Sequence, residues 1–383
     1  MLLYIHVPFC RRKCRYCAFY SEPAGSGDAL RLWADALVAD MRRRSAALGH
    51  PAVSTVFFGG GTPSLVPPAQ LGRILDCAAE CFSLNADAEV SMEANPDSVD
   101  ADRAAGFRAA GVNRVSLGVQ ALDDALLAAV GRVHDRAGAL AAFRALREAK
   151  FDNVGLDFIW ALPGETKQSW KAQLAEAAAL GPEHLSCYGL TLEEGTPLFQ
   201  ERERLLFPDE DEAAAMYEEG GALLEAAGFR QYEISNYARP GRECRHNLGY
   251  WLGEEYVGLG PAAVSFLDGC RITQPADLRT WLAAVREGRE AGAGERPGFV
   301  EQAEEMVMLR LRMAEGLELA QYRRFTGRDF AADNRALIEE LTARGMARLE
   351  GGRFALTRRG MLVSNAIIEQ CFERIPQQPE HTA

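Results

Sequence analysis

The sequence predicts an α/β fold: an incomplete parallel (β/α)6 barrel followed by a C-terminal, mainly helical, winged-helix-like domain. Up to about residue 190, short apolar runs alternate with longer stretches of helical periodicity, the pattern of βαβ units and a parallel sheet. Beyond residue 298 the pattern becomes successive helices closed by one short hairpin. Only six strand–helix units can be counted in the first part, short of the eight that close a full barrel.

In chain order, strands are expected at 2–7, 53–58 (VSTVFF), 89–93, 113–119 (NRVSLGV), 153–160 (NVGLDFIW) and 184–190, the first closed by Pro8. Helices are expected between them at 28–48, 69–82, 100–110, 136–149 and 167–180. Mixed α/β then continues with a helix at 210–227, a short strand around Gln231–Ser235, a turn at 238–241 and an apolar run at 256–266. The Gly-, Pro- and charge-rich stretch 288–298 marks a boundary. Three segments follow: 1–200 as the partial barrel, 201–298 as its extension, and 299–383 as the C-terminal domain. The last holds helices at 301–314, 319–325 and 331–344, a Gly351-Gly352 turn between two short strands, and a final helix at 358–373.

With 383 residues the chain can bury one large core and a smaller one, and 48% apolar with 25% charged residues is ordinary for a globular protein. No run of eighteen apolar residues is present, and the N-terminus lacks the charged start and cleavage site of a signal peptide, so a cytoplasmic location is expected. A net charge of −12 argues against a nucleic-acid partner, whose binding rests on neutralising phosphates. The nine cysteines are odd in number and unevenly spaced, which points to metal or redox chemistry rather than a disulfide framework. Of Cys77, Cys81, Cys187, Cys244, Cys270 and Cys371, most read as small buried residues.

The other three stand together in CRRKCRYC. The spacing C-x3-C-x2-C of Cys10, Cys14 and Cys17 suits an iron–sulfur cluster, whereas zinc would want a second ligand pair nearby. Three ligands for four irons leave one iron open. Arg11, Arg12, Lys13 and Arg15 are expected to lower the thiol pKa values and offset the charge of the bound cluster. Gly59-Gly60-Gly61-Thr62-Pro63, directly after VSTVFF, lets the backbone approach a ligand closely, although a flexible turn alone would use the same residues. Glu93 in SMEANP, Gln120 in SLGVQ and Asp157 in VGLDFIWALPGET fall on successive strands. Any one of them alone would pass for a structural hydrogen bond, and Asp157, in an apolar strand, needs a donor.

YIHVPFCRRKCRYCAFY together with FFGGGTPSL resembles the radical S-adenosylmethionine (radical SAM) superfamily, and more narrowly its coproporphyrinogen III oxidase-like branch, over nearly the full length from Tyr4 onward. The resemblance implies a [4Fe-4S] cluster on Cys10, Cys14 and Cys17, with the amino and carboxylate groups of S-adenosylmethionine (SAM) on the open iron. It also implies that Gly60, Gly61 and Thr62 contact the methionyl amino group, that Glu93, Gln120 and Asp157 bind SAM, with Asp157 on the ribose, that Arg132 in GRVHD contacts SAM, and that Tyr4 and Tyr16 line the cofactor near the cluster. Coproporphyrinogen III dehydrogenases carry a fourth cysteine two residues after the third and an N-terminal extension; here that position is Phe19 and the chain starts at its first strand.

CRHNLGYW, residues 244–251, resembles instead the H-N-x-x-Y-W signature of the haem chaperone (HemW-type) subgroup. That resemblance implies haem as bound cargo, His246 as a candidate axial ligand, and an acceptor protein the sequence does not identify, with any membrane encounter made only through that acceptor. Cys244 reads as a buried thiol ahead of a second ligand or attachment point. Two functions stand side by side: a haem chaperone, or a radical SAM enzyme that cleaves SAM reductively and decarboxylates porphyrinogen propionates. An iron–sulfur regulator using the winged-helix-like end is weakest, because of the negative charge.

Overall fold

The computed structural model describes residues 1–24 and 27–379. Strand β1 (Leu2–Val7) is buried on both faces, with Leu2, Leu3, Ile5 and Val7 at 1% exposure or less, which is why its sequence is nearly continuous rather than alternating. Helix α1 (Gly27–Ala47), strand β2 (Ala52–Gly60), α2 (Pro68–Cys81), β3 (Ser83–Ala94), α3 (Ala101–Ala109), β4 (Arg114–Gln120), α4 (Arg136–Glu148), β5 (Val154–Trp160), α5 (Lys167–Ala179) and β6 (His184–Gly189) follow. Strands β1 to β6 pair in parallel in chain order, as the alternation predicts. The helices begin on side-chain caps where the sequence supplies them: Asp100 for α3, Asp135 for α4, and a Thr166–Ser169 capping box for α5.

The chain then extends the sheet at both edges. Helix α6 (Glu210–Ala226) leads to β7 (Arg230–Gln231) and β8 (Asn236–Ala238), with β8 antiparallel on β6. After α7 (Arg245–Trp251) the chain crosses to the other edge. There β9 (Tyr256–Leu259) pairs in parallel with β1, and β10 (Val264–Leu267), β11 (Cys270–Thr273) and β12 (Ala293–Glu295) continue antiparallel around α8 (Leu278–Arg286). The sheet has twelve strands with open ends, in the order β12-β11-β10-β9-β1-β2-β3-β4-β5-β6-β8-β7.

Four sequence expectations need correction. The apolar run 256–266 is two strands, divided where Gly260 takes φ +100 and a Cβ would stand 2.7 Å from the His6 carbonyl oxygen, so a seventh parallel strand joins the six. The strand placed at Gln231–Ser235 is a bend between β7 and β8: its apolar residue Ile234 packs against the C-terminal core, and the Tyr232 carbonyl accepts from Ala314 N–H. The helix placed at 331–344 breaks at Asn334, whose side-chain amide donates to the Phe330 carbonyl at 3.0 Å and competes with the helical ladder. The helix placed at 358–373 is interrupted at Val363, between Arg358–Leu362 and Ser364–Phe372.

Helices α9 (Phe299–Leu311), α10 (Leu319–Thr326), α11 (Arg335–Ala343) and α12 (Ser364–Phe372) surround the hairpin β13 (Ala347–Glu350) and β14 (Arg353–Leu356). Their apolar faces form a core of their own, built on Val307, Leu311, Tyr322, Phe330, Phe354 and Ile367. Among the described residues no helix is long and apolar enough to cross a membrane.

Candidate cofactor site at the strand ends

In a parallel sheet the βα loops gather beyond the C-terminal strand ends. They enclose here a cavity of about 610 Å³. The cysteine loop is held over it at several points. Glu22 N–H donates to the Pro8 carbonyl at 2.6 Å, Ala24 N–H to the Cys10 carbonyl at 2.7 Å, and Arg15 N–H to the Val130 carbonyl at 3.1 Å. Cys10, Cys14 and Cys17 all line the cavity, though among the described residues no three Cys, His, Asp or Glu side chains are drawn together into a formed metal site. Tyr4, Tyr16, Gly60, Gly61, Thr62, Glu93, Gln120, Arg132, Asp157 and His246 line the same cavity, so every candidate residue meets at one place.

The loop cations do not act as expected. Arg11 pairs with Asp97, and Arg15 binds Glu201 and the Ala129 carbonyl, so both guanidinium groups are engaged away from the sulfurs. Burial raises the Cys17 thiol pKa, with Cys14 and Cys10 adding to the rise and Lys13 opposing it only weakly. The direct donors to sulfur come from elsewhere. The Thr62 hydroxyl donates to Cys10 Sγ at 3.3 Å, and Arg132 donates to Cys14 Sγ at 3.3 Å. Asn95 joins the two: its amide donates to Thr62 Oγ1 at 3.1 Å, and its Oδ1 accepts from Arg132 at 2.8 Å. Hydrogen bonds to cluster sulfurs are a protein's main means of setting cluster potential.

The glycines are needed first by the protein itself. A Cβ on Gly61 would stand 2.6 Å from the Phe9 carbonyl oxygen and 2.8 Å from that of Val7; one on Gly60, whose φ is +106, would stand 2.5 Å from the His6 ring. The triple glycine thus lets β2 close against the start of the cysteine loop. Gln120 takes the left-handed conformation at φ +68, where a bulge turns its side chain toward the cavity; Gly118 leaves it room, since a Cβ there would meet Gln120 Nε2 at 2.9 Å.

Asp157 has the donors its burial demands: Ser116 Oγ on β4 at 2.9 Å and Ser186 Oγ on β6 at 2.6 Å. Even so, burial raises its pKa. Glu93, which accepts from Gly60 N–H at 3.1 Å, is pushed up to about 8, by burial first and by Asp157 second. Burial outweighs the pull of Arg114 on both carboxyls, so the pair facing this cavity would gain from a cationic ligand. The sign for stability follows from the raised pKa. The folded state holds a proton that the unfolded chain releases near 4.5, so stability falls as pH rises from there to about 8, by at most about 1.4 kcal/mol per pH unit. Chemical denaturation of the ligand-free protein across this range should show that fall, and Glu93→Gln should flatten it.

The H-N-x-x-Y-W stretch forms helix α7, and its side chains divide between two cavities. His246 is 1% exposed, stacked on Phe57 at 4.9 Å and edge-on to Tyr250 at 4.8 Å between ring centroids. Its Nδ1 meets Thr55 Oγ1 at 2.7 Å and its Nε2 has no partner; burial lowers its pKa to about 3, so the imidazole is neutral. His246 and Asn247 line the cysteine cavity, whereas Trp251 lines a second, more apolar cavity of about 570 Å³ between α7, β9–β11 and helices α9 and α10. Tyr4, Phe19 and Tyr250 line both and form the partition. Phe19, where the coproporphyrinogen dehydrogenases have a cysteine, is 70% exposed. Cys244 is a fully buried thiol whose pKa burial raises to about 12.

Known proteins match the whole of this arrangement. Residues 4–175 match the model of the radical SAM superfamily and residues 300–363 that of the HemN C-terminal domain. The heme chaperone HemW of Mycobacterium tuberculosis is 38% identical over 371 residues, 96% of this chain and 93% of that protein. The chain belongs to the HemW family of the radical SAM superfamily. The mouse mitochondrial radical S-adenosyl methionine domain-containing protein 1 is 36% identical over 99% of this chain and 89% of its own length. Among solved structures, Escherichia coli coproporphyrinogen III oxidase (HemN), a radical SAM enzyme, superposes with a TM-score of 0.82 over 97% of this chain and 89% of that one; at 24% identity it bears on the fold alone.

Within this family fold, sequence reasoning missed Asn95, Ser116 and Ser186. Asn95 was within reach, two residues beyond Glu93 and so on the same face of the chain as it leaves β3. Ser116 and Ser186 flank Asp157 only through strand register, which no local pattern encodes.

Proposed function

We propose that the protein is a haem chaperone, which binds haem and passes it to an acceptor protein, and that it carries a [4Fe-4S] cluster and SAM in the strand-end cavity. The observation that carries this reading is helix α7, whose H-N-x-x-Y-W residues form one wall of the cysteine cavity and one wall of a second, apolar cavity large enough for a drug-sized ligand. Membership of a family whose relatives are named heme chaperones supports it.

Cys10, Cys14 and Cys17 would hold the cluster, and the donor set fits it: three thiols on one cavity, two of them already accepting hydrogen bonds. Gly60, Gly61, Thr62, Glu93, Gln120, Arg132 and Asp157 would hold SAM, with Tyr4 and Tyr16 as walls. Bound together, cluster and SAM supply one-electron reduction of a sulfonium. Glu93 would meet the ligand's positive charge and Asp157 its ribose hydroxyls, with the Ser116 and Ser186 hydroxyls fixing the Asp157 carboxylate in place. Haem would lie in the second cavity. His246 would supply the iron ligand, since its imidazole is neutral and its Nε2 has no partner. It lines the cysteine cavity, so reaching haem in the second requires Tyr250, which lines both, to turn aside. The cytoplasm is the proposed compartment, where cysteines are kept reduced and three of them can serve a cluster.

The complete polar ring of the cysteine cavity favours a second reading, a radical enzyme acting on porphyrinogens. Anaerobically reconstituted protein given coproporphyrinogen III, SAM and a reductant separates the two. The chaperone reading expects no decarboxylated product, and turnover would replace it with the enzyme. His246→Ala should shift or remove the Soret band of the haem complex while leaving iron–sulfur absorbance intact; an unchanged Soret spectrum moves iron ligation to another side chain.

A further inference from the structure

The second cavity contains a charge that has no ion-pair partner among the described residues. Arg310, on α9, is 8% exposed and lines this cavity. Its guanidinium donates to the Leu252 carbonyl at 2.9 Å and lies 3.7 Å from Met313 Sδ; among the described residues no carboxylate is within ion-pair distance of it. The nearest charges do not help. Arg353 repels it, and Glu315 and Glu318, which attract it, are already bridged to Arg353 at 3.7 and 3.5 Å. Of the two carboxylates on the cavity wall, Glu305 is paired with Arg271 at 2.5 Å, and Glu254 is exposed. A buried cation without a counter-charge is costly, and a ligand that supplied the anion would offset that cost.

The rest of the wall is of opposite character. Trp251, Tyr256, Phe266, Met306, Leu309 and Phe325 present aromatic and apolar surface. A cavity with a broad apolar wall and one uncompensated cation matches a flat apolar ring bearing a carboxylate on its edge. Haem has that form: a planar macrocycle with two propionates.

Resting on the haem reading above, we propose that this cavity between the sheet and the C-terminal domain is the haem seat, and that Arg310 is its specificity residue, pairing with a propionate while the ring lies against Trp251. The assignment gives the C-terminal domain a role: it supplies the cation and one apolar wall, so cargo binding depends on both cores staying docked.

The test compares haem with haem dimethyl ester, whose propionates carry no charge, by Soret titration of the full-length protein. Wild type should bind haem at least about tenfold more tightly than the ester, the size of a hydrogen-bonded charge pair. Arg310→Gln should abolish that preference by weakening haem and leaving the ester unchanged, and Arg310→Lys should restore part of it. Unchanged iron–sulfur absorbance checks that the variants are folded, and the wild-type comparison needs no variant at all. Equal affinity of wild type for the two ligands, or a preference kept in Arg310→Gln, overturns the inference while leaving haem binding standing. Binding of neither ligand to wild type overturns the haem reading itself and this inference with it.

Discussion

Serine at Cys10, Cys14 or Cys17 should remove the broad visible absorbance of a reconstituted iron–sulfur cluster, together with its iron and sulfide. The expected loss is near complete because three thiolates are the whole ligand set from the protein, and none of the other six cysteines lines the cavity. Five of those six are buried, and the half-buried Cys270 lies on β11 near the far edge of the sheet, so no neighbouring thiol can substitute. Serine at Cys77 or Cys81, whose sulfurs lie 3.7 Å apart inside the core, is the control: it should cost stability and leave the cluster spectrum unchanged. A triple variant that still reconstitutes a full cluster would contradict the assignment.

Gly61→Val should cost about 2–3 kcal/mol and displace the cysteine loop. Its Cβ would press on the Val7 and Phe9 carbonyl oxygens, which are backbone atoms and cannot turn aside as a flexible side chain would. Gly61 N–H also donates to the Val7 carbonyl at 2.8 Å, and Cys10 directly follows this contact. The damage therefore passes to the cluster thiols. Denaturant titration should show the lost stability, and reconstitution should give a substoichiometric cluster. If Gly61→Val keeps wild-type stability and full cluster content, the tight approach of β2 to the loop is not required. Asp157→Ala provides the contrast. It removes an acceptor held by Ser116 and Ser186, and should weaken SAM binding while the cluster stays in place.

Strands β1–β6 were legible because a central stretch of each is buried on both faces and a helix with its own period separates it from the next. The edges were not. Strands β7 and β8 are two and three residues long, too short for any period to register, and Ile234 owes its apolar character to the C-terminal core rather than to the sheet. The cysteine cavity could be read from the sequence because its residues fall at successive strand ends, and a parallel sheet brings those ends together whatever the register. What links them depends on three-dimensional neighbours: Asn95 between Thr62 and Arg132, and the serines around Asp157. The expectation that cations threaded among the cysteines would serve the thiols failed for a related reason. Adjacency in sequence does not set side-chain direction, and Arg11 and Arg15 turn outward to Asp97 and Glu201. The second cavity is the least legible feature. Its wall joins Phe19, Trp251, Arg310 and Phe325, residues spread over most of the chain and brought together only by the docking of the C-terminal core.

The central claim is that this family fold carries haem. Reconstituted wild-type protein mixed anaerobically with one equivalent of haem, then passed through gel filtration, tests it most directly. The account predicts a Soret band that elutes with the protein near one haem per chain and persists with the cluster spectrum intact. Haem that elutes entirely apart from a folded, cluster-bearing protein would contradict it.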